Sequence, residues 1–247
     1  MHGNAHHSVM ACKGSTWILL GLHLCSTTLI QTWVIMAVIG ILGVLAARSA
    51  VNGVPGRLQN LFELLIGFVS GFIGGPAEAG PEHATRRQRL LFEYLATLFL
   101  FVLVANMLDV IPPYTAPTNT LNTTLGLALL TFLFTHLAGL RRHGRRYGRT
   151  FIHTPGLLGY VFLIIVAIEE LSKPLTLAFR LFGNIFAGEL MIDVLLKLIP
   201  FRWYYITGGF APHVGWLLFS VFVGAVQAFI FMVLSLAYVG QATADVH

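Results

Sequence analysis

Long stretches of this chain carry no charge at all. Positions 14–47, 110–140, 150–168 and 203–244 contain no Asp, Glu, Lys or Arg. Apolar runs of about 20 residues fit the ~30 Å hydrocarbon core of a bilayer. The pattern predicts helices over Leu29–Ala47, Leu90–Val110, Leu121–Leu140, Gly156–Ile199 and His213–Gly240. Over Leu58–Ile73 the pattern changes. Leu58, Leu61, Phe62, Leu65, Phe68, Val69 and Phe72 recur at helical spacing while Gln59, Asn60, Glu63 and Ser70 interrupt them. That is an amphipathic helix, expected to lie on the cytoplasmic surface over about 58–75. The expected fold is an all-α integral membrane protein, one domain over 1–247, with about five crossing helices plus this interfacial one.

Composition supports the membrane reading. Only 10% of the 247 residues are charged, 56% are hydrophobic and mean hydropathy is +0.79, whereas soluble domains carry about 25% charge. A soluble domain and a disordered chain are both excluded. The net charge of +5 does not point to nucleic acid, because the basic residues cluster between apolar runs. Arg48 and Arg57 follow the first run, Arg86, Arg87 and Arg89 precede the second, and Arg141, Arg142, Arg145, Arg146 and Arg149 follow the third. By the positive-inside rule 48–89 and 141–149 face the cytoplasm and 111–120 faces outward. The segment 1–28 is then outside. Its first apolar run reads as a retained helix rather than a signal sequence.

Shorter features fill in the connections. Pro112, Pro113, Pro117 and Asn119 mark an outer turn, and Trp203, Tyr204 and Tyr205 an interfacial aromatic belt. Asn122-Thr123-Thr124 matches a glycosylation sequon but sits where a helix should start. Cys12 and Cys25 with His2, His6, His7 and His23 match no metal-ligand spacing and read as an exposed tail. His136 and His153 read as core or interfacial filling.

The fourth stretch is the unusual one. As one helix, its 44 residues would extend about 66 Å, more than twice the membrane core. It either folds back near Pro174 or crosses once at a steep tilt. It also holds Glu169, Glu170, Lys173, Arg180, Glu189, Asp193 and Lys197. Ionisable groups inside a membrane are costly and mark function. At ~100° per residue, Glu169, Lys173, Arg180 and Asn184 share one face, while Glu189 and Asp193 lie nearly opposite, further along the axis. Arg180 cannot shed its proton, and no acid stands three or four positions from it. Its counter-charge must come from elsewhere.

The run SKPLTLAFRLFGNIFAGEL, ending at Leu190, closely resembles subunit a of the F-type ATP synthase. QAFIFMVL from Gln227 resembles that family's last helix, and NMLDVIPPYTAPTNTLNTT from Asn106 its outer loop. The matches run in the family's order from about 90 to 240. The resemblance implies a proton-translocating stator that faces a rotating c-ring and is held by the b/b′ peripheral stalk within F1F0. It implies that Arg180 opposes the c-subunit carboxylate, with Asn184 and Gln227 as polar neighbours. Glu189, Asp109 and Asn106 would belong to the outer aqueous path, and Glu169 and Glu170 to the cytoplasmic side; Asp193, beyond Glu189 on a similar side of the helix, is a further proton-path candidate. Where some members carry His or Glu, partnering the Glu189 position, this chain has Ser220, so the outer path would rely on Glu189, Asp109, ordered water or His213 at the mouth, which reads equally as a helix-end histidine. The resemblance also implies a single tilted crossing for 156–199, paired with the last helix over 156–240.

No cofactor or metal is expected. There is no GxxxxGK[ST] motif, so ATP chemistry would belong to other subunits and the isolated chain would not be an enzyme. A bacterial plasma membrane is the expected location, a plastid thylakoid the alternative. Two other readings compete. One is a secondary transporter with a discontinuous helix at Pro174, though the chain lacks paired interruptions. The other is an inert anchor, which would have no use for Arg180.

Overall fold

The structure, a computed structural model, describes residues 16–19, 22–50, 55–73, 85–108, 117–144, 147, 157–198 and 210–244. Among them are six helices: α1 (Ser26–Arg48), α2 (Arg57–Ile73), α3 (Arg86–Leu108), α4 (Leu121–His143), α5 (Leu157–Leu198) and α6 (Phe210–Thr243). A short antiparallel hairpin, β1 (Thr16–Leu19) and β2 (Leu22–Cys25), precedes α1, with Thr16 opposite Cys25. Among the described residues the regular structure is otherwise helical, and the hydrophobic pattern did not predict this hairpin. His2, His6, His7, Cys12, residues 109–116, Arg145, Arg146, Arg149, His153 and Trp203–Tyr205 lie outside the described residues.

Local chemistry explains several boundaries. At the start of α3 the Thr85 backbone N–H donates to Gln88 Oε1 at 3.0 Å, and the Gln88 N–H donates back to Thr85 Oγ1 at 3.4 Å. This reciprocal capping box satisfies two donors that would otherwise be orphaned. Thr120 caps α4 with extended backbone, so the threonine-rich sequon does open a helix. Gly144 ends it: at φ 56°, which glycine tolerates, its N–H returns to the Leu140 carbonyl.

Among the described residues four helices (α1, α3, α4 and Val214–Thr243 of α6) are long and apolar enough to cross a membrane. α5 is not among these four; its own charges interrupt the apolar run. It nevertheless runs unbroken through Pro174, so there is no reversal at the proline. Of the two conformations open from the sequence, the single helix is the one formed. At 1.5 Å per residue α5 is about 63 Å long and α6 about 51 Å. Neither fits upright within a ~30 Å core.

The core lies where α3, α4, α5 and α6 converge. Leu95, Leu98 and Val102 of α3, Leu177, Ala178 and Leu181 of α5, and Ala228, Phe231 and Met232 of α6 are nearly inaccessible. Small residues let these helices approach closely. Tyr94 donates to Thr131 Oγ1 at 2.8 Å and stacks on Phe134 at 3.9 Å, joining α3 to α4. Outer faces are apolar and exposed throughout, as at Trp33, Leu133 and Phe222, which suits lipid contact. α1 and α2 attach at the edge of α3. Phe68 of α2 packs on Phe99 of α3 and Phe229 of α6 at 5.6 and 5.7 Å. The C-terminal part of α2 is therefore wedged against the bundle.

Candidate proton-transfer site

Two contacts fix how α5 and α6 run past each other. A Cβ at Gly188 would stand 3.2 Å from the Trp216 ring, and the Lys173 ammonium lies 6.0 Å from the centre of the Tyr238 ring. The helices are antiparallel, because the later α5 position meets the earlier α6 position. Interpolating between these anchors brings Arg180 to about the level of Gln227. The two polar residues singled out near the middle of these helices therefore share a depth.

Their exposures differ. Leu177, Ala178, Leu181 and Ile185 form the buried face of α5. Arg180 lies roughly 115° around the helix from the centre of that face, and it is exposed. Its i−4, i+3 and i+4 neighbours are exposed Thr176 and half-buried Gly183 and Asn184, so a permanent cation stands on an exposed flank of small, uncharged residues. Asn184 is half-buried at the edge of the contact. Gln227 is 5% exposed, and its Nε2 has no hydrogen-bond acceptor among the described residues. A buried amide donor without a partner is uncommon and usually marks a water or a functional constraint.

Ion pairing separates Arg180 from Lys173. Lys173 lies 2.5 Å from Glu170 Oε1 and 3.8 Å from Glu169 Oε1. On its far side Glu170 meets His136 Nε2 of α4 at 3.9 Å. Lys173 is thus neutralised within its own helix. Arg180 has no ion pair among the described residues. Glu169 and Glu170 are brought together with Lys173, about 15–16 Å along the axis from Arg180. His136, read from sequence as filler, belongs to this cluster. The helical spacing of 169, 170 and 173 could have revealed the ion pairs, but nothing local in the sequence identifies the partner on α4.

Asn106 sits in a different environment. It is buried, donates through Nδ2 to the Gly224 carbonyl at 3.0 Å, and accepts from Thr118 Oγ1 at 3.1 Å. Its amide ties α3, α6 and the turn preceding α4 together. Thr118 and Gly224 were not legible as its partners. Ser220 is half-buried on α6 between Trp216 and Gln227. Glu189 and Asp193 occupy α5 and His213 occupies α6, but their side chains lie outside the described residues, as does Asp109 altogether.

Comparison with known proteins identifies the family. The family profile described as ATP synthase A chain matches residues 29–240. ATP synthase subunit a of Desulforamulus reducens is 38% identical over 234 residues, covering 92% of this chain and 83% of the relative. ATP synthase subunit a 2 of Syntrophotalea carbinolica is 35% identical, covering 88% and 86%. ATP synthase subunit a of Geobacter sulfurreducens is 33% identical, covering 87% of each. These matches do not favour the transporter or anchor readings: the chain belongs to the ATP synthase A chain family, the proton-translocating, non-catalytic membrane subunits of F0.

Proposed function

We propose that this chain loads and unloads protons on a rotor through two offset aqueous half-channels separated by Arg180. The observation that carries the reading is the contrast on α5: Lys173 is paired within the chain, while Arg180, on an exposed flank, has no ion pair among the described residues. An arginine cannot be neutralised by burial. A cation there is tolerable in a membrane only if a partner supplies negative charge. The carboxylate of a c-ring subunit is that partner in this reading.

The chemistry follows from electrostatics. A rotor carboxylate must be neutral to face lipid. Opposite Arg180 its charged form is favoured, so its pKa falls and the proton leaves. The fixed positive charge also repels a proton that would pass straight from one path to the other. Glu189, Asp193, Asp109, Ser220 and His213 are assigned to the outer path, and Glu169 and Glu170 to the cytoplasmic one. Asn184 and Gln227 hold water or the incoming carboxylate beside Arg180. Asn106 serves this path by anchoring α6, since both ends of its amide are occupied.

The b/b′ stalk would hold the chain against rotation, and other F1F0 subunits would carry the ATP chemistry. The isolated chain would hydrolyse nothing. The reading places the protein in a bacterial plasma membrane, N-terminus outside and C-terminus cytoplasmic, following the arginine clusters. The test is passive proton flux through reconstituted membrane sector beside ATP-driven pumping. Arg180→Ala is expected to abolish pumping while leak persists or rises. Pumping at the wild-type rate would sink the assignment.

A further inference from the structure

Away from the α5–α6 pair, an apolar cavity of about 200 Å³ lies between α1, α2 and α3, partly open to the outside. Ile39 and Gly43, Phe62 and Val69, and Thr97 and Leu100 contribute to its walls from the three helices. The one polar side chain among these, Thr97, donates its hydroxyl to its own helix at the Glu93 carbonyl, 2.7 Å away. No wall group is left seeking water. Apolar cavities of this order stay dry and take up hydrocarbon. A partner helix, 10–12 Å across with its side chains, is too thick for it. A Cβ at Gly43 would meet no atom within 4 Å, so glycine keeps this wall open.

The ends of the same three helices are basic. Arg48 closes α1, Arg57 opens α2, and Arg86, Arg87 and Arg89 fill the first turn of α3, all exposed. On each helix the cavity wall begins five to seven residues from an arginine, about 8–10 Å along the axis. Against these five cations the three helices carry two acids, Glu63 and Glu93. Glu63 is already hydrogen-bonded by Gln59 at 2.7 Å.

We propose that this groove is a binding site for one anionic phospholipid, an acyl chain in the cavity and its phosphate headgroup on the arginines. Basic clusters at the ends of membrane helices recognise such headgroups, and the hydrocarbon slot beneath them selects a lipid over a free anion. The site lies apart from Arg180 and stands whether or not the proton-path reading holds.

The test is native mass spectrometry of the intact synthase, delipidated in detergent and re-supplied with phosphatidylglycerol or phosphatidylcholine of equal chain length. Wild type should retain one phosphatidylglycerol on this subunit, and Gly43→Leu, which fills the slot, should lose it. Arg48→Gln with Arg57→Gln should reduce the preference for phosphatidylglycerol by roughly thirtyfold, two arginine contributions combined. Equal retention of both lipids, or retention unchanged in Gly43→Leu, overturns the proposal. So does displacement of the headgroup by millimolar inorganic phosphate with no dependence on the chain. If Gly43→Leu does not assemble, phosphatidylglycerol with a diazirine midway along its chain is crosslinked to the wild-type complex. Labels at 39–43, 62–69 and 96–100 support the site. Labels confined to the outer face at Leu129 and Leu133, or a neighbouring subunit crosslinked in the slot, rule it out.

Discussion

The side-chain amide of Asn106 donates to the backbone carbonyl of Gly224 at 3.0 Å, pinning α3 to the turn of α6 that leads into Gln227. The same amide accepts from Thr118 at 3.1 Å. A Cβ on Gly224 would stand 3.1 Å from the Asn106 Cβ and 3.4 Å from the Met107 methyl. The close approach and the hydrogen bond therefore depend on each other.

Asn106→Leu keeps the volume but removes both hydrogen bonds, leaving the Gly224 carbonyl and Thr118 hydroxyl buried without it. The expected loss is about 1–3 kcal/mol, toward the low end because interhelical bonds in membranes average about 0.6 kcal/mol each. Gly224→Ala should destabilise as well, since Asn106 is held twice and cannot give way. Denaturation of the purified complex by a titration of sodium dodecyl sulfate measures both. Unchanged midpoints would show that this latch does not hold α6.

The two acids beside Lys173 should behave differently. Glu170 is mostly buried (22% exposed) and 2.5 Å from Nζ, whereas Glu169 is 64% exposed and 3.8 Å away. Lys173→Met strands a partly buried carboxylate and should cost about 1–3 kcal/mol, while Lys173→Met with Glu170→Leu recovers most of it. Glu169→Gln should change stability by less than about 0.5 kcal/mol, as exposed pairs do. Equal effects at the two glutamates would contradict this assignment of the pair.

Tyr147, just past α4, gives an alkaline signature. Burial, and then the nearby Glu170 charge, push its hydroxyl above the usual value of 10.0. The folded state therefore holds this proton more tightly than the unfolded chain does. Its contribution is fully present below pH 10 and is lost as pH rises from there through the higher folded value. Tyr147→Phe cannot ionise, so its stability should fall less steeply above pH 10 than wild type. Parallel slopes in a pH series of melting curves would refute the shift.

Much of the bundle was legible because the first three apolar runs are bounded by arginines and the last two are long. Leu29–Ala47 became Ser26–Arg48, and Gly156–Ile199 became Leu157–Leu198. The TxxQ capping box at Thr85 was also present in the sequence as a start signal for α3. What escaped was long-range. Asn106 finds its acceptor 118 positions away, and no periodicity encodes that. His136 meets Glu170 only because α4 packs on α5. Continuity through Pro174 depended on tertiary packing overriding the lost hydrogen bond. The hairpin at 16–25 is too short to distinguish from the apolar run around it.

Gln227 offers the clearest separation of stability from function. Its Nε2 is buried without a partner among the described residues, a state that costs about 1–3 kcal/mol. A leucine of similar volume would remove that penalty, so Gln227→Leu should assemble normally and resist denaturant as well as wild type or better. If the amide is retained to hold water or the rotor carboxylate at the level of Arg180, ATP-driven pumping should fall about tenfold, equivalent to 1.4 kcal/mol of lost stabilisation. Pumping and denaturation are measured on the same preparation. A variant that pumps normally but unfolds more easily would mean that Gln227 is a structural hydrogen-bonding residue, and its place beside Arg180 would carry no proton chemistry.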